Sequence, residues 1–198
     1  MVTHGLSGIK RWLLGSVAAK VVQAAETPIL LVRASGRGVA KDHIAFESII
    51  VPLDSSGLAE QVLPHVVDLA RAMNVEVVLV RAFELPLTAY YGADNLPPSA
   101  ATFIPTYEEL VAEFSREARE YLDAKVKELR SHGLEKIRAE TLEGTAADVI
   151  IDLARKTRDS LIVMCTHGLS GIKAWVLGGV TEKVVNHAES PLLIIRAC

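Results

Sequence analysis

The sequence predicts an α/β protein built on a doubly wound parallel sheet, and three observations carry that expectation. Half of the 198 residues are hydrophobic and only 5% are aromatic. Val, Leu, Ile and Ala dominate, as strands buried on both faces by helices require. From Phe46 onward, short apolar runs alternate with stretches of helical periodicity, which is the pattern of right-handed βαβ crossovers. Two polar loops, Val51-Pro-Leu-Asp54-Ser-Ser-Gly57 and Cys165-Thr-His-Gly-Leu-Ser-Gly171, each follow an apolar strand, where open sheets carry their ligands.

Taken in order, residues 1–33 give a loop, a helix from about Ile9 to Ala25 and a strand over Pro28–Val32. One helix and one strand bury too little apolar surface to offset their chain entropy, so this piece needs a partner in the rest of the chain or in another subunit. Residues 34–45, with two glycines and mixed charge, read as a linker. The expected division is a partial repeat over 1–35, a linker over 36–45 and a complete domain over 46–198.

That domain opens with a strand over Ser48–Leu53 and a helix from about Gly57 to Met73, capped by Ser55 or Ser56 and stopped at Asn74. A strand over Val75–Phe83 follows, and then residues 84–105, rich in Pro, Gly and Ala and holding Tyr90-Tyr91, which read as a lid or a tolerated surface excursion. Thr106 and Glu109 form a capping box for a long amphipathic helix to about Ser131, with Gly133 as its stop. The third strand is expected near Ile137–Leu142, a helix capped by Thr145 runs to about Lys156, and the apolar fourth strand Ser160–Met164 is central. A last helix and the edge-like strand Leu192–Ile195 complete five strands and four helices.

Residues 1–33 match residues 164–196 without a gap, and roughly two of every three positions are identical, which marks an internal duplication. Each copy carries Thr-His-Gly-Leu-Ser-Gly-Ile-Lys, at Thr3–Lys10 and Thr166–Lys173, leading straight into a helix. Glycines admit a ligand close to the backbone and free amides at a helix start favour an anion, so phosphate is the natural candidate. The plainer reading is that Gly168 and Gly171 only turn the chain from strand to helix. If the first and fourth strands are neighbours, Asp54 faces this loop, and an acid opposite an anion loop suits a nucleotide. Asp54 also fits a simple turn or helix cap.

The net charge of −3, with acids and bases interspersed, provides no basic footprint for nucleic acid or an anionic membrane. The two cysteines, Cys165 and Cys198, support neither a disulfide framework nor a metal site. No apolar run reaches the length of a membrane span and no leader pattern opens the chain, so a cytoplasmic protein is expected. His4 and His167 lack further ligands at metal spacing and are expected to steady their loops. Lys173 either leans on a phosphate or is solvated, and Trp12 and Trp175 are packing residues. No nucleophile, base and orienter occur as a set, so rapid turnover is not indicated.

The pair of motifs resembles the universal stress protein family, whose pattern is Pro-x-Asp after the first strand and Gly-x-x-Gly, nine residues, then Gly-Ser/Thr after the fourth. The resemblance covers residues 46–198, and residues 1–33 look like the final quarter of a second such domain. It implies a five-stranded parallel sheet in the order 3-2-1-4-5, an adenine nucleotide alpha hydrolase-like fold, with ATP bound in many members, with or without Mg, and homodimers formed through the last strand. Position by position, Pro52 and Asp54, with Leu53 between them, match the adenosine-contacting turn, and Ala82 matches a backbone contact to the base. Met164, Cys165, Thr166, His167 and Gly171 fall in the loop segment, and Gly168, Gly178, Gly179 and Val180 match the phosphate segment. Two positions depart from the pattern: Cys165 stands for its first glycine and Gly179 for its final Ser/Thr, whereas Ser16 keeps that hydroxyl in the N-terminal copy. The function implied is a cytoplasmic ATP-binding stress-response regulator whose shape or association follows nucleotide occupancy, with slow hydrolysis at most. The alternative is a nucleotide-free relative that serves as a dimerising scaffold.

Overall fold

The strand Ser48–Pro52 (β3) reads Ser-Ile-Ile-Val-Pro, and Ile49, Ile50 and Val51 have no exposed surface at all. Neighbouring side chains on a strand point to opposite faces, so complete burial of all three requires cover on both sides of the sheet. The computed structural model, which describes residues 2–3, 20–22, 25, 27–33, 45–85, 106–166 and 178–196, supplies that cover. Ile49, Val51 and Leu53 pack with Val66, Leu122 and Val126 from helices on one face, while Ile50 packs with Ile150, Leu153 and Val184 from helices on the other.

The elements follow in the order Val2–Thr3 (β1), Ile29–Arg33 (β2), β3, a 3-10 turn Ala59–Val62, Leu63–Met73 (α1), Glu76–Phe83 (β4), Tyr107–Ser131 (α2), Ile137–Glu143 (β5), Ala146–Lys156 (α3), Ser160–Thr166 (β6), Gly179–His187 (α4) and Leu192–Arg196 (β7). They form one sheet in the order β1-β2-β7-β6-β3-β4-β5. Counted within residues 46–198 the strands run 3-2-1-4-5, all parallel, as the resemblance implies. Helices α1 and α2 lie on one face and α3 and α4 on the other, so the domain is doubly wound.

The sheet is nevertheless wider than five strands. β2 pairs antiparallel with β7 through Ile29↔Ile194, Leu30↔Leu193 and Leu31↔Leu192, and β1 lies parallel to β2. A bare β7 would leave a row of unpaired apolar-strand amides and carbonyls at the sheet edge, and β2 takes them up. Leu31 and Val22 join the core beneath α4, so the N-terminal stretch is anchored within its own chain. Residues 20–22 are helical. Apart from Ala25, the remainder of the helix expected over Ile9–Ala25, most of the linker, the Tyr90-Tyr91 segment, Trp12, Trp175, Lys173, His4 and Ser16 lie outside the described residues.

Three local expectations change. The helix expected to run from Gly57 starts as the 3-10 turn and becomes α-helical only at Leu63. Pro64 has no amide to donate to the carbonyl of Glu60, and that carbonyl takes the Leu63 amide instead, in the tighter pattern. Thr145 precedes α3 as expected, but its hydroxyl donates to the Asp148 carboxylate at 2.6 Å rather than capping an amide. β6 extends through Thr166, two residues past its expected end, because Cys165 and Thr166 still pair with Ile195 and Arg196. The capping box forms as read: the Glu109 amide donates to Thr106 Oγ1 at 3.2 Å and the Thr106 amide to Glu109 Oε2 at 2.7 Å.

Candidate functional site

β3 and β6 are neighbours, and their crossovers leave in opposite directions, through α1 to β4 and through α4 to β7. Chain continuity therefore opens a crevice between their carboxyl ends. A cavity of about 200 Å³ lies there, lined by Pro52, Leu53 and Asp54 from the end of β3, Ala82 from β4, Met164 and Cys165 from β6, and Gly178, Gly179 and Val180 at the start of α4. Nine of the expected site residues thus meet at one cavity although up to 128 positions separate them in sequence (180 − 52).

Asp54 serves the backbone and the cavity together. Its Oδ1 accepts the Ser56 amide at 2.9 Å, Ser55 takes the left-handed conformation (φ 66°), and Ser56 Oγ accepts the Ala59 amide at 3.1 Å. This is an Asx-type turn, so the turn role that the sequence allowed for Asp54 is realised while its carboxylate lines the cavity. The Leu53 amide donates to the Val80 carbonyl at 2.9 Å and fixes this turn to the neighbouring strand.

Across the crevice α4 begins without a side-chain cap. Gly178 is its N-cap, and the first intrahelical bond runs from the Glu182 amide to the Gly178 carbonyl at 2.9 Å. The amides of Gly179, Val180 and Thr181 consequently have no carbonyl within the helix, and all three residues line the cavity. A helix start of this kind attracts an anion through its partial positive charge. Among the described residues, a Cβ at Gly179 would meet nothing within 4 Å, so on their side the approach to these amides is open. Ala146, the first residue of α3, also lines the cavity, with its helix start likewise lacking a side-chain cap.

Not every expected residue belongs to the cavity. Thr166 is fully buried, its hydroxyl has no hydrogen-bond partner among the described residues, and it does not line the cavity. Thr166 continues β6, paired with Arg196, and its side chain is enclosed within the protein. His167, Gly168 and Gly171 lie outside the described residues. Sequence reasoning passed over Ser56, Leu58, Ala59, Val80, Ala146, Ile150 and Thr181. Two signals were available: Val80 is two residues from Ala82 and so shares its strand face, and Ala146 and Ile150 are one helical turn apart.

Among the described residues, no three His, Cys, Asp or Glu side chains gather into a metal site, and Asp54 is the one carboxylate on the cavity. The described lining thus offers no carboxylate cage for magnesium, which binds through one or two carboxylates together with substrate phosphates. No helix among the described residues is long and apolar enough to cross a membrane.

The model of the universal stress protein family matches residues 1–33 and 45–196. A universal stress protein of Methanocaldococcus jannaschii, MJ0531, is 28% identical over 151 residues, covering 76% of this chain and 82% of its own. A universal stress protein from Archaeoglobus fulgidus superposes with a TM-score of 0.64 at 16% identity, and this chain covers 59% of it with 97% of its own length. A universal stress protein solved in complex with cAMP superposes with a TM-score of 0.51 at 19% identity, over 78% of this chain and 99% of its own.

Proposed function

The chain belongs to the universal stress protein family, and on that premise we propose that the cavity between β3 and β6 is an adenine-nucleotide site, with ATP as ligand. Occupancy changes shape or association rather than driving fast chemistry. The observation that carries this reading is the uncapped start of α4 facing the Asp54 turn across one cavity. The α4 amides would hold phosphate, with magnesium arriving on the phosphates, and the Asp54 carboxylate and the apolar walls at Val80, Ala82 and Ile150 would take ribose and base. The cAMP complex of a protein with the same fold supports an adenine nucleotide as the ligand class. We read the site as one that hydrolyses its nucleotide slowly at most, because no nucleophile, base and orienter occur together in the sequence.

We read residues 1–35 as the end of a second copy of the domain, joined by a linker over 36–45 to the complete copy over 46–198. The pairing of β1 with β2, Val2↔Val32 and Thr3↔Arg33, repeats the pairing of Cys165↔Ile195 and Thr166↔Arg196 at the same offset in sequence, which supports this reading. Homo-oligomers through the last strand then form by exchange of β2 between chains, because β7 already holds a β2 strand on its outer edge. A cytoplasmic location agrees with this function.

Gly179 gives a direct test. No described residue stands within 4 Å of a Cβ placed there, so Gly179→Ser adds the hydroxyl that the family pattern carries without a clash against them. A new hydrogen bond to charged phosphate should tighten ATP binding about five- to thirty-fold, measured by calorimetry on the whole chain. Equal affinity in the variant and the wild type would place phosphate away from α4.

A further inference from the structure

The wall of the cavity formed by Leu58 and Ala59 is built on the 3-10 turn. A 3-10 turn has poorer hydrogen-bond geometry than an α-helix, and Pro64 prevents α1 from extending backward to replace it. Side chains supply the missing hold. Glu60 accepts Tyr121 Oη at 2.8 Å through Oε1 and Lys125 Nζ at 2.8 Å through Oε2. Tyr121 and Lys125 stand one turn apart on α2, on the same face. Lys125 Nζ also donates to Glu128 at 3.0 Å.

These bonds are sheltered, with 16% of the Lys125 side chain and 28% of the Glu60 side chain exposed. Burial, followed by the hydrogen bond and negative charge of Glu60, holds the Tyr121 phenol well above its ordinary range. The hydrogen bond to Glu60 raises Lys125 as well. Both groups therefore remain protonated donors at neutral pH. The Arg81 guanidinium lies 5.3 Å from the centre of the Tyr121 ring and steadies it from β4, whose Val80 and Ala82 line the cavity.

We propose that Tyr121 and Lys125 are positioning residues that act through Glu60, fixing the 3-10 wall at the width an adenine nucleotide requires and so setting nucleotide affinity from a helix that contributes no described residue to the cavity. This rests on the nucleotide reading of the cavity. Sequence distance hides the device, since Glu60 and Tyr121 are 61 positions apart.

The test uses the whole chain with Tyr121→Phe and Lys125→Met combined, and Tyr121→Phe alone should the pair fail to fold. Amide hydrogen exchange is read without ligand, and ATP affinity by calorimetry. Exchange at Ala59–Val62 should speed up about ten-fold with α3 and α4 unchanged, and the ATP dissociation constant should rise about ten-fold. Lys125→Arg, which keeps the donor, should retain affinity near the wild type. Unchanged exchange at the turn, or faster exchange with unchanged affinity, overturns the proposal. A wild type that takes no ATP overturns the nucleotide reading instead, and exchange at the turn then judges the clamp by itself.

Discussion

Deletion of residues 1–40 is expected to lower the melting temperature by roughly 10–20 °C and to change the oligomer mass. Removing β2 strips three paired residues from the edge of β7. It also withdraws Val22, which is fully buried, and Leu31, which is 7% exposed. Burying an aliphatic side chain is worth about 1.5–3 kcal/mol, so these two alone contribute roughly 3–6 kcal/mol. For a chain of this size each kcal/mol moves the midpoint by about 2–4 °C. The bared edge Leu192–Ile195 is apolar and invites association with other strands. A scanning calorimetry midpoint equal to that of the full chain, together with an unchanged mass by light scattering, would show that the N-terminal stretch holds nothing together.

The second large effect concerns Asp54. Asp54→Ala should weaken ATP binding about ten- to a hundred-fold, the cost of losing a charged acceptor at a site that excludes part of the water. Its effect on folding should stay near 1 kcal/mol, because the carboxylate is exposed and its described structural bond is the one from the Ser56 amide. Asp54→Asn separates the two roles. It keeps an acceptor for that amide and removes the charge, so stability should recover while affinity does not. If both variants bind ATP like the wild type, the Asp54 turn is structural only.

The doubly covered sheet was legible because β3, β4 and β6 are near-continuous apolar runs that only a sheet covered on both faces can bury, whereas the strand order came from the resemblance to the family. The duplication made the strand at Ile29–Arg33 readable, since it copies Leu192–Arg196, and it pairs with that strand as the edge argument required. The seven-strand width was less legible, because β1 is a strand of two residues that no local pattern marks. Asp54 was readable from local turn chemistry, while the Gly178–Val180 segment came from the family pattern alone, and the parallel order brings the two together. Pro64 was visible, but the competition between its ring and the Glu60 carbonyl showed only once the turn was built. The end of β6 was hidden for a similar reason: strand pairing with Arg196 carries it past the point where polarity suggested a loop. Ile150 and Tyr121 act through packing between elements far apart in sequence, which local periodicity does not encode.

Titration of the intact chain with ATP by isothermal calorimetry, alongside adenosine and inorganic tripolyphosphate, tests the nucleotide site most directly. Saturable binding of one ATP per chain with a millimolar or tighter dissociation constant, stronger than either fragment and weakened by Asp54→Ala, is the predicted result. No binding of ATP at millimolar concentration, or tripolyphosphate binding as well as ATP with adenosine inert, would contradict it.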